Sequence, residues 1–196
     1  MRKLLLTTVA VAAAIGLAVA GEPSFGTFTD TRDGQTYKTV KIGTQTWMAQ
    51  NLNYQTQNGS WCYKDSTSYC KKYGRLYDWK TAKTVCPAGF HLPSYKKWYD
   101  LVANIGGNTA GNKLKARSGW SNNGNGTDDF GFSALPGGGR SSDGDFGGAG
   151  DFGGWWAASE LSDGRAYYRN MYYNRDYVGG NRNYKSYGFS VRCVQN

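Results

Sequence analysis

Histidine and glutamate are nearly missing from this 196-residue chain, and their scarcity removes whole classes of chemistry. The one histidine, His91, stands between Phe90 and Leu92-Pro93, which suits the edge of a core better than an oriented catalytic triad. Glycoside hydrolysis needs two carboxylates across a cleft, and the only glutamates are Glu22, near the start, and Glu160. Glu160 with an aspartate of the 143–151 loop is the one pairing that would serve a glycan-acting enzyme. Glu160 held by a backbone amide or an arginine is the simpler expectation. There is no C-x-x-C pair for a zinc site. After residues 4–19 no apolar run approaches the roughly 20 residues a membrane span requires.

What is present begins with a secretory signal over residues 1–20. Arg2 and Lys3 form its charged head, and Ala18-Val19-Ala20 offers a cleavage site. No cysteine follows these small residues, so a lipid anchor is not indicated. The expected product is secreted or extracytoplasmic, in the periplasm or at the cell surface, with no membrane span. It consists of a flexible leader over 21–28 and one domain over 29–196. The chain carries 23 basic and 14 acidic residues, a net charge of +9 that falls to +7 without Arg2 and Lys3. This excess favours acidic partners such as anionic glycans or charged surfaces, and it also serves solubility. Export argues against nucleic acid as a partner.

The four cysteines, Cys62, Cys70, Cys86 and Cys193, read as two disulfides in an exported protein. Of the three possible pairings, the favoured one joins Cys62 to Cys70 as a short clip and Cys86 to Cys193 as a long bridge. Strands are expected around Tyr37, Val40 and Ile42 and again at Thr46-Trp47-Met48. A polar loop follows over 51–70. Leu76, Trp79, Ala82 and Cys86 share one face of a helix expected over 75–85. A second helix starts at Ser94 as N-cap, carries the stripe Trp98, Leu101, Val102 and Ile105, and stops at Gly106-Gly107. Strand chemistry returns at 155–158, 166–173 and 189–194. Together these give an α+β domain.

Residues 117–154 are dense in Gly, Asn, Asp and Ser, and Gly144-Asp145-Phe146-Gly147-Gly148 recurs as Gly150-Asp151-Phe152-Gly153-Gly154. Asp143, Asp145 and Asp151 are candidate calcium ligands there, although they follow no EF-hand spacing and Asp-Gly pairs also simply make turns. Otherwise no cofactor is expected. The 23 residues 165–187 hold seven tyrosines, four arginines and four asparagines, the composition of a recognition surface. With strand period 2, alternate residues of a hairpin would face a ligand, and the remaining tyrosines would cover a sheet. The candidate ligand-binding residues are Trp156, Tyr167, Arg169, Tyr173, Arg175, Tyr177, Arg182 and Tyr184.

Several runs, in order over about residues 30–196, resemble the Fibrobacter succinogenes major paralogous domain, a family of exported bacterial proteins. They include Asp33-Gly34-Gln35, Gln45-Thr46-Trp47-Met48-Ala49-Gln50-Asn51-Leu52, Lys72-Tyr73-Gly74-Arg75-Leu76-Tyr77 and Cys86-Pro87-Ala88-Gly89-Phe90-His91-Leu92-Pro93-Ser94. Asp129-Phe130-Gly131-Phe132-Ser133-Ala134-Leu135-Pro136 and the closing Gly188-Phe189-Ser190-Val191-Arg192-Cys193-Val194 complete the pattern. The resemblance implies a C-type lectin-like fold, distantly similar to formylglycine-generating enzymes. Two helices would pack on small antiparallel sheets beside a long irregular loop region, and Cys86 would pair with Cys193. The Glu-Pro-Asn, Gln-Pro-Asp and Trp-Asn-Asp triplets of calcium-dependent lectins do not occur here, nor does the close cysteine pair of the formylglycine enzymes. The resemblance therefore carries the fold and neither activity. The expected function is non-catalytic adhesion to a polysaccharide or cell-surface component, with the site over residues 143–187. A glycan-acting enzyme and a protein–protein adhesin are the alternatives.

Overall fold

The structure, a computed structural model, describes residues 23–195, so the signal expected over 1–20 lies outside the described residues. Ser24–Thr29 (β1) runs antiparallel to Thr36–Ile42 (β2), which turns through Gly43 at φ +61° into Gln45–Met48 (β3). Residues 24–28, expected within a flexible leader, are therefore ordered in a sheet. The Ser-Phe-Gly-Thr-Phe-Thr run of residues 24–29 is strand chemistry, and the Phe28 ring packs 4.7 Å from that of Phe90.

The polar stretch after β3 is not a bare loop. It contains Ser60–Trp61 (β4) and the helix Thr67–Tyr73 (α1), clipped by the Cys62–Cys70 disulfide. The helix expected over 75–85 is largely replaced by Leu76–Tyr77 (β5) and the four-residue Trp79–Ala82 (α2). Asp78 decides this: its carboxylate accepts from Thr81 N at 2.7 Å, so the helix starts there, while Leu76 and Tyr77 pair with β4. Phe90–His91 (β6) leads into Tyr95–Ile105 (α3), which matches the expected second helix. Ser94 Oγ accepts from Lys97 N at 3.2 Å, and Gly106 ends the helix at φ +126°. Trp98, Leu101 and Ile105 of the stripe are buried. A short helix, Ala110–Leu114 (α4), follows.

The second half is mostly strand: Gly137–Arg140 (β7), Phe146–Ala149 (β8), Phe152–Ser162 (β9), Arg165–Tyr172 (β10), Gly179–Tyr184 (β11), Phe189–Ser190 (β12) and Val194–Gln195 (β13). One sheet has the order β1-β2-β3-β13-β6 and the other β11-β10-β9-β12-β5-β4, with β7 joined to β9 and paired to β8. The class is mixed α+β, as expected.

The segment 189–195 is the seam between the sheets. β12 pairs with β5 and β9, β13 pairs with β3 and β6, and Leu52 N and Met48 N donate to Val191 O and Cys193 O at 2.9 Å. The expected Cys86–Cys193 bridge, 107 residues apart in sequence, ties the helical half to this seam. Two adjacent tryptophans divide the interior. Trp155 joins Trp47, Trp98 and Phe132 on one side of β9, and Trp156 joins Tyr77, Phe189 and Val191 on the other. Among the described residues no helix is long and apolar enough to cross a membrane.

Candidate ligand-binding site

β10 is paired along both edges, by β9 and β11, and its faces meet two cores, with Tyr167 and Met171 at one and Ala166 and Tyr168 at the other. Tyr167 and Arg169 turn toward α3. The Tyr167 ring sits 5.0 Å from Tyr95, and the Arg169 guanidinium stacks 3.9 Å over the Tyr95 ring and donates to Tyr95 O at 3.3 Å. Arg169 is buried, which lowers its pKa. It is a packing residue, contrary to its expected role on a ligand face. Trp156 requires the same correction. It is fully buried, and its indole nitrogen donates to Tyr77 O at 2.7 Å, so no ligand can reach its ring.

The remaining candidates are nearer the surface. Tyr173 is half-buried against the first core, while Arg182 is exposed and stands opposite Tyr167 in register. Arg175 and Tyr177, in the connection between β10 and β11, are exposed and hydrogen-bonded to each other. Tyr184 is 49% exposed, with the Arg165 guanidinium 4.6 Å over its ring and bonded to its hydroxyl at 3.0 Å.

Phe152 links the two outer ends. On one side its ring lies 5.2 Å from Tyr172, over which Arg175 stacks at 5.2 Å. On the other, rings follow from Phe152 to Phe189 at 6.0 Å, to Tyr187 at 6.1 Å and to Tyr184 at 6.4 Å. The result is a continuous aromatic ribbon with an arginine at each end.

Midway along it opens a groove of about 320 Å³, floored by Phe152, Tyr187 and Phe189 and edged by Phe146, Arg140 and Asp145. The Arg140 guanidinium stands 4.3 Å over the Trp61 ring. Its Nε is buried without a hydrogen-bond partner, and it joins no ion pair among the described residues. Glycines at 139 and 154 let the strands close on Phe189, since a Cβ at either would come within 2.9 Å of its ring. Phe146, Phe152 and Tyr187 fall within the 143–187 stretch expected to hold the site, although not among its named ligand-binding residues, whereas Arg140 and Phe189 fall outside it. The doubled Gly-Asp-Phe-Gly-Gly motif is the signal that marks the site, because each copy places its phenylalanine on the groove.

Asp143, Asp145 and Asp151 do not come together. Among the described residues no group of three or more His, Cys, Asp or Glu could hold a metal ion. Asp145 closes a turn with Ser141, its carbonyl accepting from Ser141 N at 2.8 Å, and Asp151 O accepts from Tyr173 N at 2.9 Å. Glu160 forms an ion pair with Lys185, whose ammonium also donates to Asp163 O at 2.8 Å. It stands eight residues along β9 from Phe152, roughly 26 Å in an extended strand. That separates it from Asp151, next to Phe152, by more than the about 5 to 10 Å that glycosidase carboxylates keep. His91 lies half-buried in β6, paired in register with Val194 of β13.

No curated protein and no solved structure matches the chain. The family model described as the Fibrobacter succinogenes major domain matches residues 40–195, which include every strand of the groove and both disulfides. With most of its length matched, the chain belongs to the Fibrobacter succinogenes major domain family.

Proposed function

We propose that this chain is an exported, non-catalytic adhesion protein of C-type lectin-like fold that binds a polysaccharide along the aromatic ribbon. The observation that carries the reading is the ribbon itself, with its groove at Phe146, Phe152 and Phe189 and Arg140 at the edge. Sugar rings present apolar faces that stack on aromatic side chains, and their hydroxyls accept from arginine. A ribbon of linked rings suits a chain of sugars better than a single small molecule.

The lectin-like part of the reading draws on the five-stranded antiparallel sheet and the larger mixed sheet beside it, the helix α3, the irregular stretch between α4 and β7, and the Cys86–Cys193 bridge to the final segment. Export draws on the signal expected over 1–20 and on the two disulfides, which persist in oxidising compartments.

The test is retention of residues 21–196 on a panel of insoluble and immobilised polysaccharides, with and without calcium, beside a Tyr184→Ala/Tyr187→Ala variant. Retention on one neutral glycan, lost in the variant, is the expected result. Retention on none of the panel overturns the carbohydrate reading and points to protein partners.

A further inference from the structure

A second cavity, of about 410 Å³, lies away from the ribbon and shares no lining residue with the groove. One wall is the β1–β2 edge, with Phe25 and Lys38. The other is the end of α1, with Lys71, Lys72 and Tyr73, and the segments 49–53 and 131–135 close the bottom. All three lysines are exposed, and none enters an ion pair among the described residues. No aspartate or glutamate is in the lining, which is completed by the amides of Gln35, Gln50, Asn51 and Asn53. Asn53 Oδ1 is buried without a hydrogen-bond partner.

The aromatic groups are built in. Phe25 is 66% exposed, yet its ring rests on the backbone of Gly131, where a Cβ would come within 2.3 Å of it. The Lys72 ammonium lies 4.8 Å over the Tyr73 ring. Gly131 holds φ +63°, so any side chain there would be both strained and in collision with the ring. The Cys62–Cys70 disulfide fixes the helix that carries Lys71 and Lys72.

We infer that this cleft is a second binding site, selective for an acidic polysaccharide. Three lysines without an ion pair among the described residues line a concave surface that holds no carboxylate, and a concave site of one charge sign focuses its field on a ligand of the opposite sign. Carboxylate or sulfate groups would take the lysines through charge-assisted hydrogen bonds. Sugar hydroxyls would take the amides of Gln35, Gln50 and Asn53, the unpaired Asn53 oxygen included, and Phe25 offers a flat apolar contact. The ribbon takes neutral sugar faces and the cleft takes anions, so the protein is able to bridge two glycans or two stretches of one.

The test measures binding of polygalacturonate, its fully methyl-esterified form and dextran sulfate by affinity electrophoresis. The proteins are the parent chain, a Lys38→Gln/Lys71→Gln/Lys72→Gln variant, and a control of equal charge change outside the cleft, Lys80→Gln/Lys96→Gln/Arg117→Gln. The expected result is retention on one or both acidic polymers, weakened about ten-fold or more in the cleft variant and little in the control. The ester is expected to bind weakly. Equal weakening in both variants reduces the effect to net charge and overturns the inference, as does equal binding of the ester or no retention on either acidic polymer. The Tyr184→Ala/Tyr187→Ala variant should keep acidic binding, so the cleft and the ribbon succeed or fail separately.

Discussion

The side-chain oxygen of Asn51 accepts hydrogen bonds from both Nε and Nη2 of Arg192, at 3.1 and 2.8 Å. The same oxygen accepts from the Trp155 indole at 2.9 Å, and the Asn51 amide donates to Tyr73 O and Ser190 Oγ. Arg192 is fully buried and joins no ion pair among the described residues. Its remaining donors go to the carbonyls of Met48, Phe132 and Ser133, and its guanidinium stacks over the Phe132 ring at 4.4 Å. Burial pushes its pKa down to about 9, still protonated at neutral pH. The five donors of its planar fork meet the Asn51 oxygen and backbone carbonyls from two segments at once, more than the three donors of an ammonium can.

Arg192→Lys and Asn51→Leu should each therefore cost about 3 to 5 kcal/mol, because each leaves buried polar groups unpaired. Urea unfolding measures this. The double variant should cost less than the sum of the two, and strict additivity would show that the two side chains do not act as one unit.

Alkaline titration should report the burial of three tyrosines, Tyr37, Tyr77 and Tyr168. Burial raises Tyr37 to about 12, Tyr77 well above its ordinary value, and Tyr168 less far. A phenol with a raised folded pKa contributes stability that is whole below its unfolded value near 10 and is lost as pH climbs through the folded one. Arg192 and Lys115, lowered by burial, act in the opposite sense, so tyrosinate absorbance is a cleaner readout than total stability. Tyr37, Tyr77 and Tyr168 should therefore ionise above the ordinary phenol range, with their absorbance rising as the fold is lost. A single transition with the fold intact would contradict the burial of these three rings.

Lys115→Met should loosen the connection that carries Arg175 and Tyr177 without touching a ligand. The buried Lys115 ammonium donates to the carbonyls of Tyr172, Tyr173 and Arg175 at 3.1 to 3.3 Å and stands 5.4 Å over the Trp120 ring. The expected cost is about 2 kcal/mol, together with faster amide hydrogen exchange over residues 173–178. Unchanged exchange there would mean that the connection holds itself.

The two disulfides should differ in weight. Removing Cys86–Cys193, which closes a sequence separation of 107, should cost about 4 to 5 kcal/mol, against about 2 to 3 for Cys62–Cys70 at a separation of 8. Double Cys→Ala variants compared by urea midpoint give the ranking. The short-clip variant should also weaken acidic-polymer binding, because α1 carries two of the cleft lysines.

Local signals carried α3, the β2–β3 hairpin and the cysteine pairing into view. Ser94 caps, Trp98 and Leu101 recur at helical spacing, and Gly106 stops the helix within a dozen residues. The 75–85 segment misled because Leu76 and Trp79 fit a helical stripe and equally fit a strand followed by a capped turn. The Tyr and Arg tract misled for a different reason. Alternation along β10 does not reveal that neighbours cover both faces, so Arg169 and the flanking Trp156 read as exposed while being interior. The ribbon depends on Phe152 meeting Phe189, and the cleft depends on Phe25 meeting Gly131. Both are long-range contacts that no window of sequence contains.

The seam at 189–195 has a bearing on the order in which the protein can be completed. Synthesis delivers β2, β3, β5, β6 and β9 before the segment that joins them, so each sheet waits with an open slot. Arg192, the donor that gathers Met48, Asn51 and Phe132, and Cys193, the partner of Cys86, arrive with that same segment. A nascent chain therefore stays open and threadable until its last strand emerges, and then both sheets, the buried cation and the long bridge can close in one cooperative event.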